Sequence, residues 1–202
     1  MKSIISSFNK PIFCCHSAFC SKGNASGTNI LLWTAAAFAC TFAANHKCNF
    51  VKITDTMDEN VFLVRGLWKG QWQFGEDCKS YKTGGFYIDR HWNSARFASV
   101  LADVLACFAL LASCAAASPA ARNKGTAGAA TSVAIKACIF QGLTLLFLTS
   151  SACYSKTGIA ENNSKCELSQ AGNLSIAATV LWFVAALAGC CTGAVVISEA
   201  AG

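Results

Sequence analysis

Apolar residues in this chain come in long unbroken runs, without the three-to-four-residue spacing of a helix that has one wet face. Four such runs cover residues 28–44, 93–117, 129–152 and 173–197. About 20 residues are needed for a helix to cross a bilayer, and the last three runs satisfy this. The first is short and reaches across only if Asn29 and Asn45 sit among the headgroups. None of the runs carries a charged face, so the pattern predicts four transmembrane helices in lipid, in preference to a four-helix bundle in water.

Between the first two runs, in residues 45–92, the period changes to two. In CNFVKIT, Asn49, Val51 and Ile53 alternate with Phe50 and Lys52. In VFLVRGLWKGQWQF, one extended face would hold Phe62, Val64, Gly66, Trp68, Gly70 and Trp72. Alternation rich in aromatic and β-branched residues reads as strand, with DTMDEN as the turn between and a third short strand beginning near Cys78. The expected fold is therefore a mostly α membrane protein. It is a four-transmembrane helix bundle with a small antiparallel β-sheet in the first outer loop, and Trp68 and Trp72 are expected to pack at the membrane interface.

Composition agrees. Apolar residues make up 54% of the chain and charged residues 13%, where a soluble domain carries about 25% charged. The net charge of +6 is spread over the chain with no basic cluster on one helix, which argues against nucleic acid as a partner. Charge placement sets the expected orientation. The tail 1–27 holds Lys2, Lys10 and Lys22 and no acid, and the loop 118–128 holds Arg122 and Lys124 and no acid. Both read as cytoplasmic, which puts the C-terminal residues 198–202 on the same side and leaves loops 45–92 and 153–172 outside. No secretory signal peptide is recognisable, so the first span is expected to act as an uncleaved anchor. The plasma membrane is the expected location.

Of thirteen cysteines, Cys48, Cys78, Cys153 and Cys166 fall in the two outer loops. An oxidising compartment pairs cysteines. Of the three connectivities that four cysteines allow, the expectation is one bridge within each loop, Cys48–Cys78 and Cys153–Cys166. Sequons at Asn162 and Asn173 lie on the outer side, whereas the one at Asn24 falls inside and is expected to stay bare. Cys14, Cys15 and Cys20 in the tail, and Cys190 and Cys191 at the inner end of the last run, are candidates for S-palmitoylation or remain plain thiols. A metal site from Cys14, Cys15, His16 and Cys20 is disfavoured, because adjacent cysteines do not present both sulfurs to one tetrahedral ion. Cys40, Cys107, Cys114 and Cys138 read as small packing residues.

The runs are rich in Ala, Gly, Ser and Cys, which lets helices approach closely in lipid. Gly189 and Gly193 form a GxxxG that serves either internal packing or dimerisation. Two ionisable residues stand inside runs, Asp103 near the middle of the second and Lys136 in the inner third of the third. Reflection about the short loop near residue 122 sets Asp103 opposite Gln141. This predicts an Asp103–Gln141 hydrogen bond of structural character, with Lys136 bending toward it or snorkelling to the headgroups.

A Gly-Leu-Trp at Gly66, Leu67 and Trp68, a following Cys78, and Arg96 at the start of the second run sit within a four-span chain with a large first outer loop. In these features the chain resembles the claudin and peripheral myelin protein superfamily of tetraspans. The resemblance implies a structural or adhesive role, with lateral assembly through the outer sheet and the helix faces. The partners it implies are the bilayer and copies of the chain or other membrane proteins. The alternative is an auxiliary subunit of a channel, transporter or pigment–protein complex. An enzyme is not expected, nor is a cofactor. The chain's histidines, His16, His46 and His91, form no metal-binding pair, and no phosphate loop or nucleophile motif is present.

Overall fold

Alanine, not leucine, fills the interior of this protein. Ala37, Ala44, Ala102, Ala106, Ala109, Ala134, Ala137, Ala185 and Ala186 are buried, while Leu32, Phe42, Phe97, Phe108, Leu111, Ile139, Val180 and Phe183 stand on the outside. Phe97 and Leu111 are each 66% exposed. Water drives large apolar side chains inward. In lipid that drive is absent, and small residues at helix contacts allow close backbone packing instead.

The computed structural model describes residues 26–55, 62–71, 77–81, 88–118, 124–153 and 164–199. Four helices form the bundle: α1 (Ser26–His46), α2 (Arg90–Ala117), α3 (Lys124–Leu143) and α4 (Gln170–Glu199). They pack in the ring order α1–α2–α3–α4, with α4 closing on α1. Polar groups bridge the helices across the alanine-lined interior. Thr34 and Ser113 hydroxyls lie 3.0 Å apart, and Trp182 Nε1 donates to Thr41 Oγ1 at 2.8 Å. Gly189 sits against Thr131 and Ile30, where a Cβ would collide with the Thr131 hydroxyl, so this glycine serves packing inside the bundle.

Among the described residues three stretches are long and apolar enough to cross a membrane: Arg90–Ala117, Gly125–Thr149 and Gln170–Cys191. α1, the fourth expected span, is not among them. The third stretch is not α-helical throughout. After Leu143 it tightens into a 3-10 helix, Thr144–Thr149. Hydroxyls of Thr144, Thr149 and Ser150 each donate to the carbonyl three residues earlier, an arrangement that favours the tighter winding.

One end of the bundle carries an antiparallel sheet of five strands: β1 (Val51–Asp55), β2 (Phe62–Arg65), β3 (Lys69–Gly70), β4 (Lys79–Ser80) and β5 (Ser164–Leu168). Their order is β4–β3–β2–β1–β5. The expected long strand through Gly-Leu-Trp is instead two strands. Chain direction reverses at residues 66–68, where Gly66 N donates to Lys69 O at 2.8 Å, and Arg65 pairs with Gly70. The fifth strand comes from the second loop and pairs along the full length of β1, from Val51–Leu168 to Asp55–Ser164. It was not foreseen, although Lys165 and Glu167 alternate with Cys166 and Leu168, which pack against the core.

Disulfides join Cys48 to Cys78 and Cys153 to Cys166, one within each loop. The first ties the end of α1 to the outermost strand, and the second ties the end of the 3-10 helix to β5. A sheet with two-residue strands is marginal alone. On the chain-entropy account each bridge contributes about 3–4 kcal/mol. Peptide mapping without reductant is expected to recover these two linkages. Cys78→Ser is expected to leave the helices inserted while the sheet becomes protease-sensitive; a sheet as resistant as wild type would refute its dependence on the bridge.

Candidate functional site

The Gly-Leu-Trp turn is where the sheet meets the helices. Gly66 lies so close to the chain leaving α1 that a Cβ there would stand 2.5 Å from the Lys47 carbonyl oxygen and 2.7 Å from that of Cys48. Both obstacles are backbone, so no larger residue fits without moving the strand. Leu67 is fully buried beside Phe50, Trp92 and Phe147. Its carbonyl oxygen accepts two bonds from α2: Arg96 Nε at 2.7 Å and Trp92 Nε1 at 3.2 Å. Trp68, 36% exposed, turns outward over the arginine.

Three rings surround the Arg96 guanidinium. Its carbon lies 5.2 Å from the Trp68 ring centre, 5.3 Å from Trp92 and 5.4 Å from Tyr81, each within cation–π range. Trp92 meets Tyr81 and Phe147 edge-to-face, with centroids 5.0 and 5.2 Å apart. The Tyr81 hydroxyl donates to Gly66 O at 3.3 Å. Burial pushes the Tyr81 phenol well above its ordinary value, against the opposing pull of the Arg65 and Arg96 charges and of that hydrogen bond. Arg65 is buried on β2 and donates to the Ala152 carbonyl at 2.8 Å. Desolvation draws its pKa down, with the Tyr81 field acting in the other direction. Together these residues clamp the sheet to the bundle from both sides.

Asp89 sets the direction of α2. Its Oδ1 caps the helix by accepting from Trp92 N at 2.8 Å, and its Oδ2 accepts from Ser151 N, joining the start of α2 to the end of the 3-10 helix. The residue pattern alone did not single out Asp89, Trp92 or Tyr81. Asp89 was the most readable, as an aspartate directly before a helical run.

The intramembrane residues do not form the expected pair. Asp103 receives a bond from Asn45 Nδ2 at 2.9 Å and lies 3.2 Å from His46 Nε2, both on the last turn of α1. Asn45 also donates to Ser99 O at 3.3 Å. Gln141 instead donates to Ser175 on α4 at 2.8 Å, in a cluster with Thr144. Reflection about the loop carries no information on the direction each residue faces around its helix. Asp103 faces α1 and Gln141 faces α4. Asp103 lies level with the end of α1 because α2 extends beyond α1 into the sheet. Lys136 is exposed on α3.

Of the acylation candidates, Cys191 is disulfide-bonded. Cys14, Cys15, Cys20 and Trp72 lie outside the described residues. Cys107 and Cys114, expected as packing residues, are exposed on the outer surface of α2. Among the described residues no group of His, Cys, Asp and Glu is placed to hold a metal ion. The outer surface of the sheet is polar, with Lys69, Asp77, Lys79 and Lys165 among its charged residues.

The clamp generates two testable expectations. Arg96→Lys keeps the charge but loses the planar group that bonds Leu67 while lying among three rings. It is expected to weaken sheet docking by about 1–3 kcal/mol, read as faster proteolysis of the sheet with the helices still inserted; unchanged resistance would refute the clamp. The folded state holds the Tyr81 proton more tightly than the unfolded chain, so this stabilisation is complete below the ordinary value of 10.0 and is lost as pH rises above it. Phenolate absorbance is expected to show a late-titrating fraction that Tyr81→Phe removes. No family model matches the chain and no curated protein matches its sequence, so the functional reading rests on this geometry.

Proposed function

We propose that this chain is a claudin-like four-span membrane protein with a structural or adhesive role, presenting its sheet to partners on the outer side of the plasma membrane. The observation that carries this reading is the clamp. Arg96 and Trp92, rooted in a membrane-length helix, hold the Leu67 carbonyl and fix the sheet relative to the bilayer. A rigid platform loses little freedom when it binds. Its charged outer face suits recognition of another protein.

α1 serves as the fourth span in this reading. It packs along α2 and α4 and turns Leu32, Trp33 and Phe42 outward, as the other helices do with their large apolar residues. With four spans, the lysine-bearing tail and the Arg122–Lys124 loop share the cytoplasmic side. The two sheet-side disulfides then face an oxidising compartment. Lateral assembly through the helix faces, with copies of the chain or with other membrane proteins, completes the proposal; service as an auxiliary subunit is its second form, and the exposed Lys136 favours it.

Expression in weakly adherent cells tests the adhesive role. The chain is expected to gather at contacts between two expressing cells, and Cys78→Ser or Arg96→Lys is expected to reach the surface without gathering. Even distribution of the wild-type chain over the surface would refute adhesion. Labelling of an introduced cysteine at Lys165 by an impermeant reagent in intact cells is expected, and its absence would reverse the orientation.

A further inference from the structure

Lys136 is a charged residue on a surface that otherwise suits lipid or another helix. The exposed face of α3 runs Gly125, Gly128, Ala129, Ser132, Ile135, Lys136, Ile139 and Leu143. A Cβ at Gly128 would meet nothing within 4 Å, so that part of the face is open. Among the described residues the Lys136 ammonium has no hydrogen-bond or ion-pair partner.

Its depth makes this costly. Lys136 lies about 17 Å from Gly125 at ~1.5 Å per residue, in a hydrocarbon layer about 30 Å thick. The stretch Gly125–Thr149 is long enough to cross that layer. Lys136 thus lies within the apolar stretch, beside Ile135 and Ile139 on the exposed face, and not at either end of it. Such a group is stable in a membrane when it faces an opposite charge or water.

We infer that the exposed face of α3 around Lys136 docks a transmembrane helix of a different protein, one that carries a carboxylate at mid-membrane depth. Small residues at 125, 128, 129 and 132 let that helix approach closely, and Ile135, Ile139 and Leu143 flank the charge with apolar contact. A second copy of this chain fits poorly. A two-fold contact on this face would set Lys136 against Lys136, and the carboxylate of Asp103 is engaged by Asn45 and His46 and only 24% exposed. The inference deepens the lateral-assembly reading and rests on the membrane placement proposed above.

The test uses the full chain in lipid vesicles with a synthetic transmembrane helix of leucine and alanine carrying one central aspartate. Association is read by energy transfer, and the face by a disulfide between Ser132→Cys and a cysteine in the synthetic helix. Relative to the same helix with leucine in place of aspartate, about tenfold tighter association is expected. Lys136→Leu should abolish the difference and Lys136→Arg should retain it. Equal association of the two synthetic helices, or a preference that survives Lys136→Leu, would overturn the proposal. So would self-association of the wild type that Lys136→Leu removes. Release of the chain from vesicles by alkaline carbonate would overturn the membrane placement, and this inference with it, and is scored before any helix is added.

Discussion

The backbone carbonyl of Leu67 is the hub of the junction between the sheet and the helices. It accepts from Arg96 and Trp92, which belong to a helix long and apolar enough to cross a membrane. The turn that presents it exists because Gly66 passes within contact distance of the chain leaving α1. Burial of Leu67 on one side of the turn and exposure of Trp68 on the other fix the turn's direction. The charge on Arg96 is tolerable at this boundary because three aromatic rings and one carbonyl replace its water. Without this junction, strands of two to five residues would have little to hold them over the helices.

The bundle beneath solves a different problem. With no water to drive helices together, contact depends on close approach and on hydrogen bonds across the seams. Alanine supplies the approach, and Thr34–Ser113, Trp182–Thr41 and Gln141–Ser175 supply the bonds. Many large apolar residues are left to face outward. The same logic makes Lys136 conspicuous, because it alone among the exposed residues of the middle of α3 demands a polar neighbour.

Much of this was legible in the residues. Unbroken apolar runs marked the helices, since lipid imposes no polar stripe on them. The two disulfides followed from four cysteines divided equally between two loops. The alternation in Val51–Asp55 gave a strand. Gly-Leu-Trp reads as strand because its alternation continues through a turn that forms only when Gly66 meets the backbone of residues 47 and 48. The fifth strand was missed because its partner, β1, lies more than 100 residues away along the chain.

Residue order thus settled which segments are apolar and helical, where the sheet begins, and which cysteines share a loop, because each depends on near neighbours and on the solvent a segment prefers. Packing of the whole chain settled what faces what. Asp103 found Asn45 and His46, and Gln141 found Ser175, because a helix's rotation about its own axis is fixed by all its neighbours together. The same holds for the three rings around Arg96, which arrive from β4's edge, the turn and α2. No local pattern encodes their meeting, since each is an ordinary aromatic residue until the chain closes around the charge.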